Sequence, residues 1–199
     1  MPPVEIEMFT NLEELNLDDN ELTMIPSGLG SLQELKCLCV CENPMGFIPS
    51  QIKQLKQLTR LFIQRSQLMY FPEEICDLEM LEFLGLAGNK ISSLPDKITS
   101  IKKLKWLNLS QNNLKKLPDT TKEFKNLMYI DVSDNGFDEI PCDLLLIPSL
   151  MSLIIQGNKI KVVSEEFCKH IMRMAKLDLR RNTIEDMPVD LMSCENVFI

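Results

Sequence analysis

The sequence predicts a right-handed α/β solenoid with a parallel sheet on its concave face and loops or 3-10 turns on its convex face. Three observations carry this expectation. The pattern L-x-x-L-x-L-x-x-N-x-L, set by Leu12, Leu15, Leu17, Asn20 and Leu22, returns with starts at Leu35, Leu58, Leu81, Leu104, Leu127 and Leu150, each 23 residues after the last, and at Met174 after 24. Within each copy the second and third apolar positions are two apart, which is the period of a strand. Proline stands at 26, 49, 72, 95, 118, 141 and 188, with apolar residues three and six positions further on, as at Ile52 and Leu55.

Taken in order, the elements of one unit follow from these spacings. The strand should turn Leu107 and Leu109 inward and leave Lys105, Trp106, Asn108 and Ser110 on the open face. Asparagine recurs at Asn20, Asn43, Asn89, Asn112, Asn135, Asn158 and Asn182, where the strand turns inward, and an amide offers both donors and an acceptor to the backbone of that buried bend. The proline then fixes φ and removes an amide donor, so the returning limb should be extended or 3-10. One unit cannot bury enough apolar surface to offset the ordering of its chain, so the array reads as one cooperative domain.

The expected organisation is a partial N-terminal repeat over residues 1–11, eight repeats over 12–196, and the start of a further repeat at 197–199. Pro3, Ile6 and Phe9 are in phase with the second half of a preceding unit. Such apolar ends expect neighbours, either more of an array or another chain, which includes end-to-end self-association. Two local irregularities are visible. The third repeat has Ser66 in place of the asparagine, and the seventh has Val163-Ser164 where others have an apolar residue and proline. With the extra residue before Met174, the stretch from Ser164 to Arg173 should form a longer helical turn.

Composition narrows the function. Hydrophobic residues make up 45% of the 199, enough for a continuous core, and no apolar run is long enough to span a bilayer. Net charge is −8, from 29 acidic against 21 basic residues, which opposes a nucleic-acid or anionic-membrane role. The seven cysteines form no CxxC or Cys/His framework. Cys37, Cys39 and Cys41 alternate along one strand, and neighbours two apart on an extended chain lie roughly 6.5 to 7 Å apart, near or beyond disulfide reach. Free thiols and the absence of a leader at Met1-Pro2-Pro3 point to a soluble cytoplasmic protein.

The 23-residue unit with Leu-Pro in its second half, as in Leu94-Pro95 and Leu117-Pro118, resembles the cytosolic Ras-group leucine-rich repeats, the type found in Ras suppressor protein, Scribble, Erbin and densin. The resemblance covers almost the whole chain. It implies a leucine-rich-repeat horseshoe and a scaffold that binds signalling proteins, such as small GTPases and phosphatases, through the concave face. The cysteine-rich caps of secreted relatives are absent.

Candidate partner-binding residues are read from columns, because parallel strands about 4.8 Å apart stack equivalent positions. One column runs Glu14, Cys37, Arg60, Phe83, Trp106, Tyr129, Ser152, Lys176; the next runs Asn16, Cys39, Phe62, Gly85, Asn108, Asp131, Ile154, Asp178. Phe62, Phe83, Trp106 and Tyr129 form the expected anchor, with Gly85 leaving a small depression beside Phe62. Trp, Tyr and Arg are the types enriched at binding hot spots. Arg60, Asn108, Asp131, Ile154, Lys176 and Arg180 complete the set. Charge is graded along the arc, from Glu13, Glu14, Asp18 and Asp19 to Lys176, Arg180 and Arg181 around Asp178. Such a dipolar arc would orient a partner during encounter.

No catalytic, cofactor or metal site is expected. Cys37, Cys39 and Cys41 with Glu42 lie on one flat strand, which does not converge ligands tetrahedrally. Cys76, Cys142 and Cys168 follow apolar or proline positions of the return limb, and Cys194 occupies a core phase. His170 beside Cys168 lacks an oxyanion-hole motif, and Glu73-Glu74 and Glu165-Glu166 occupy equivalent surface phases. The expected role is a protein-binding scaffold in signalling. The alternatives are a substrate-recognition or regulatory module of a larger enzyme, and a self-assembling structural array.

Overall fold

The structure, a computed structural model, describes residues 4–165, 167, 171, 173–188, 191 and 194–199. Its strands are β1 (Glu14–Asn16), β2 (Cys37–Cys39), β3 (Arg60–Phe62), β4 (Phe83–Gly85), β5 (Trp106–Asn108), β6 (Tyr129–Asp131), β7 (Ser152–Ile154), β8 (Lys176–Asp178) and β9 (Val197–Phe198). They form one sheet in chain order, each strand parallel to the next. This is the expected α/β solenoid. Register does not slip anywhere: Glu14 opposes Cys37, Cys37 opposes Arg60, and so on to Ser152 opposite Lys176. The additional residue of the seventh unit is therefore absorbed outside the strands.

Register holds because each strand from β2 to β8 buries its central side chain. Leu38, Leu61, Leu84, Leu107, Ile130, Leu153 and Leu177 stack through the interior, and a slip by one residue would turn each of them to the open face. Leu109 and its counterparts at 40, 63, 86, 132, 155 and 179 are equally buried.

The return limbs are five-residue 3-10 turns, Val4–Met8, Ser27–Ser31, Ser50–Gln54, Glu73–Asp77, Asp96–Ser100, Asp119–Glu123 and Cys142–Leu146. All seven directly follow a proline in the sequence, as with Pro26 at φ −59° and Pro95 at φ −75°. The proline ring presets that angle, and its carbonyl accepts the first turn's bond, as from Ile52 N to Pro49 O at 3.1 Å. Of the stretch from 164 to 173, Glu165, Phe167 and Ile171 are helical and Phe167 and Ile171 are buried; the rest of the expected helical turn, with Cys168 and His170, lies largely outside the described residues. No helix among the described residues is long and apolar enough to cross a membrane.

Two backbone features recur in every unit. The residue just before the asparagine position has positive φ: Asp19, Glu42, Arg65, Gly88, Gln111, Asp134, Gly157 and Arg181, at 51° to 70°. Only two of these are glycine, so most units hold a side chain in the left-handed region, which costs roughly 1 to 2 kcal/mol apiece. The asparagine side chain secures the bend that results. At Asn112, Oδ1 accepts from Ile91 N at 3.0 Å, while Nδ2 donates to Leu86 O, Leu109 O and Ser110 O at 2.9, 3.1 and 3.2 Å. Asn43, Asn89, Asn135, Asn158 and Asn182 bond in the same way to the preceding unit and to their own. Asn20 reaches only Leu17 O and Asp18 O in its own unit.

Ser66 shows what the shorter side chain gives up. Its hydroxyl donates to Val40 O and Gln64 O at 3.1 Å, sharing one proton between two carbonyls. The amide that Oδ1 of an asparagine would take, Met45 N, turns instead to Asn43 O at 2.8 Å.

One expectation about the first unit is corrected. Ile6 is buried, but Phe9, placed in phase with it, is 58% exposed. Among the described residues only a following unit packs against this limb, so a ring at the outer layer has cover on one side.

Candidate functional site

The open face of the sheet is built from residues that the strand pleat turns away from the leucine stack. In β5 and β6 these are Trp106, Asn108, Tyr129 and Asp131, all half-buried between adjacent strands. Trp106 and Tyr129, directly opposed in register, stack with ring centroids 5.5 Å apart and planes 9° off parallel. Phe62 meets Trp106 edge-on at 6.1 Å, although β4 lies between their strands.

That reach depends on Gly85, which opposes Phe62 in register. The expected depression at Gly85 is filled: the Phe62 ring lies over the glycine, 2.6 Å from where a Cβ would stand. The result is a continuous aromatic run, Phe62–Trp106–Tyr129. Phe83 is half-buried beside Trp106 in register and outside those ring contacts.

Other sequence-derived candidates are placed differently from one another. Asn108 is half-buried and its Oδ1 caps Ser110 N at 2.9 Å. Ile154 holds its place in the column but is only 5% exposed, closed in between the neighbouring rungs, and offers a partner almost no surface. Arg60 is exposed but reaches across β2 to Glu14 at 2.5 Å. Lys176 Nζ and Arg180 Cζ lie 5.5 and 5.6 Å from the Phe198 ring centroid, and Arg180 pairs with Asp178.

Ion pairs take up part of the graded charge read from the sequence. Glu13 pairs with Lys36, Glu14 with Arg60, Glu42 with Arg65, Asp178 with Arg180 and Asp134 with Arg181. Exposed pairs of this kind add little stability, and among the described residues Asp18, Asp19 and Lys176 remain outside them.

Sequence reading missed Met128 and Met151. Each is 44% exposed, and in the chain they directly precede Tyr129 and Ser152, so these rungs carry adaptable apolar surface as well. Their signal was available in the column that also holds Lys105.

Cys39 and Cys41 are held in the unreactive thiol form. Cys37 Sγ and Cys39 Sγ lie 3.9 Å apart, and both carry free thiols. Burial, followed by the nearby Cys37, pushes the Cys39 thiol up to about 12, and burial takes Cys41 to about 11. Both are protonated at neutral pH. Among the described residues no group of three or more His, Cys, Asp or Glu side chains is placed to hold a metal ion.

A parallel strand, a left-handed bend clamped by asparagine and a proline-led return, repeated along one axis, define a leucine-rich-repeat protein. Profiles of the leucine-rich-repeat family match residues 79–137 and 11–32. The structure is similar to a leucine-rich-repeat protein of Leptospira interrogans, at 32% identity and TM-score 0.92, over 99% of this chain and 51% of that one. The chain thus spans about half the length of that protein. Internalin C2 of Listeria monocytogenes, at 22% identity and TM-score 0.78 over 94% of this chain and 79% of its own, shares the fold. The Arabidopsis receptor kinase HAESA, solved in complex with a peptide hormone and a co-receptor, is 29% identical with TM-score 0.75, over 90% of this chain and 31% of its own. No curated protein matches the chain. Leucine-rich-repeat folds serve generally as protein-interaction modules and are typically non-enzymatic.

Proposed function

We propose that the chain is a protein-binding scaffold of the Ras-group type, and that it takes its partner on the concave sheet face around Phe62, Trp106 and Tyr129. The observation that carries this reading is the continuous aromatic run Phe62–Trp106–Tyr129 on the open face of the sheet. Large rings held by their neighbours offer contact area at low entropic cost, which is why such residues dominate binding energy. The peptide complex of the HAESA receptor is a precedent within the fold.

A cytoplasmic setting, and a role in intracellular signalling such as a GTPase or phosphatase pathway, belong to the same proposal. Its support is the free thiols of Cys37, Cys39, Cys41 and Cys76, which a reducing compartment maintains, and the 23-residue unit with Leu-Pro.

The test is site-directed photo-crosslinking in cells, with a benzophenone amino acid at Asn108 on the sheet face and, separately, at Lys122 on the return limb. A discrete partner should be captured from Asn108, and its affinity, remeasured with purified components, should fall about thirtyfold or more in Trp106→Ala. Capture from Lys122 alone, or a partner indifferent to Trp106, overturns the reading.

A further inference from the structure

The last rungs of the sheet show what a carboxylate at the third strand position takes. Asp178, with its side chain 2% exposed, receives Arg180 through Nε at 2.9 Å and Nη2 at 2.6 Å. The same guanidinium lies 5.6 Å from the centroid of the Phe198 ring. A guanidinium is thus held by a carboxylate and an aromatic ring together.

Asp131 occupies the same strand position two rungs earlier. Its Oδ1 accepts from Ser133 N at 2.9 Å, as Asp178 Oδ1 accepts from Arg180 N at 3.3 Å. Its Oδ2 has only the Tyr129 hydroxyl at a long 3.5 Å. Where the later rung carries Arg180, this one carries Ser133, too short to supply a cation. The aromatic partner is already in place, since Tyr129 and Trp106 stack alongside. Nearby cations are committed elsewhere, Lys105 to Glu82 and Arg181 to Asp134. Among the described residues Asp131 has no ion pair.

We propose that Asp131, with the Tyr129–Trp106 stack, is the docking point for an arginine side chain of the protein partner. The proposal rests on the sheet face being the partner surface and names the chemistry of the partner's anchor. The incoming guanidinium donates to Asp131 Oδ2 and lies against the rings, combining carboxylate and aromatic as Arg180 does within the chain, with the difference that Phe198 opposes Asp178 in register whereas Tyr129 and Trp106 stand in the neighbouring column. Arginine fits better than lysine because its planar fork bonds a carboxylate and stacks on rings at once. An acidic protein, at net charge −8, does not repel such a segment.

Trp106 is the only tryptophan, so its fluorescence reports this platform alone. Titration with N-acetyl-argininamide should shift its emission saturably, while the citrulline analogue, of similar shape but neutral, should leave it unchanged at the same concentrations. Asp131→Asn should weaken the arginine response about tenfold, the size of one charge-assisted hydrogen bond. This variant keeps the local turn, because Asn16 and Asn108 make the same cap with Oδ1 at their own rungs. An equal response to citrulline, no saturable response to arginine, or unchanged binding by Asp131→Asn overturns the proposal. If arginine fails while crosslinking at Asn108 stays dependent on Trp106, the anchor falls and the partner surface stands; if both fail, both readings fall.

Discussion

The ring of Phe62 fills the space that a side chain at Gly85 would need, with Cδ1 only 2.6 Å from the position of a Cβ there. This pair decides whether the aromatic run is continuous, because Phe62 reaches Trp106 only by crossing above β4. Gly85→Ala should therefore push Phe62 off Trp106 and change tryptophan emission and near-ultraviolet circular dichroism. Stability should move little, since Phe62 is half-buried and alanine restricts the unfolded chain by about 0.4 to 1 kcal/mol in its favour. Unchanged spectra would show that the glycine does not govern the ring.

The asparagine bends should differ in value along the array. Asn112→Ala strands the Ile91 amide in the interior and removes one of the two bonds at each of the Leu86, Leu109 and Ser110 carbonyls, which Asn89, Asn135 and the Gly88 amide still hold, a loss of about 2 to 3 kcal/mol in urea unfolding. Asn20→Ala removes two exposed bonds within one unit and should cost about 1 kcal/mol or less. Equal losses at the two positions would mean that the bonds between units carry no special weight.

Backbone strain before the asparagines offers a stabilising change. Gln111 holds φ at 54° with its side chain exposed. Gln111→Gly removes the left-handed penalty of roughly 1 to 2 kcal/mol and returns about 0.5 to 1 kcal/mol as unfolded-state entropy. A net gain of about 0.5 to 1 kcal/mol should appear as a higher urea midpoint with unchanged slope. Gln111→Val should move the midpoint the other way.

The Asp178–Arg180 pair predicts a pH signature. Hydrogen bonds from Arg180, against the opposing effect of burial, hold the Asp178 carboxyl below its ordinary value of 3.8. A carboxyl depressed in the folded state contributes stability that is fully present above the unfolded value and lost as pH falls through the folded one. The stability difference between the protein and Asp178→Asn should be flat from about pH 5 to pH 8 and shrink below about pH 4. A difference that persists to the lowest pH at which the protein stays folded would assign Asp178 a purely steric role.

Much of this molecule was legible before its structure. Leucine spacing specified the strands and the inward side chains, and proline marked the start of all seven 3-10 limbs. The recurring asparagine marked the bend, and even Ser66 could be read as a weaker clamp, because each of these is a property of residue type and spacing within one unit. The left-handed residues before the asparagines escaped notice, since Asp, Glu, Arg and Gln stand there as well as Gly.

What the sequence by itself determined was the repeat, its register and which side chains face the open sheet, because burial at a period of two follows from local geometry. Only the tertiary structure decided what that face offers. It laid Phe62 over Gly85, closed Ile154, paired Arg60 with Glu14 two strands away, and left Asp131 without a cation beside its rings. The physical reason is distance along the chain. Access and charge on a solenoid surface depend on contacts between side chains 23 or 46 residues apart, and no pattern within a single repeat encodes their conformations.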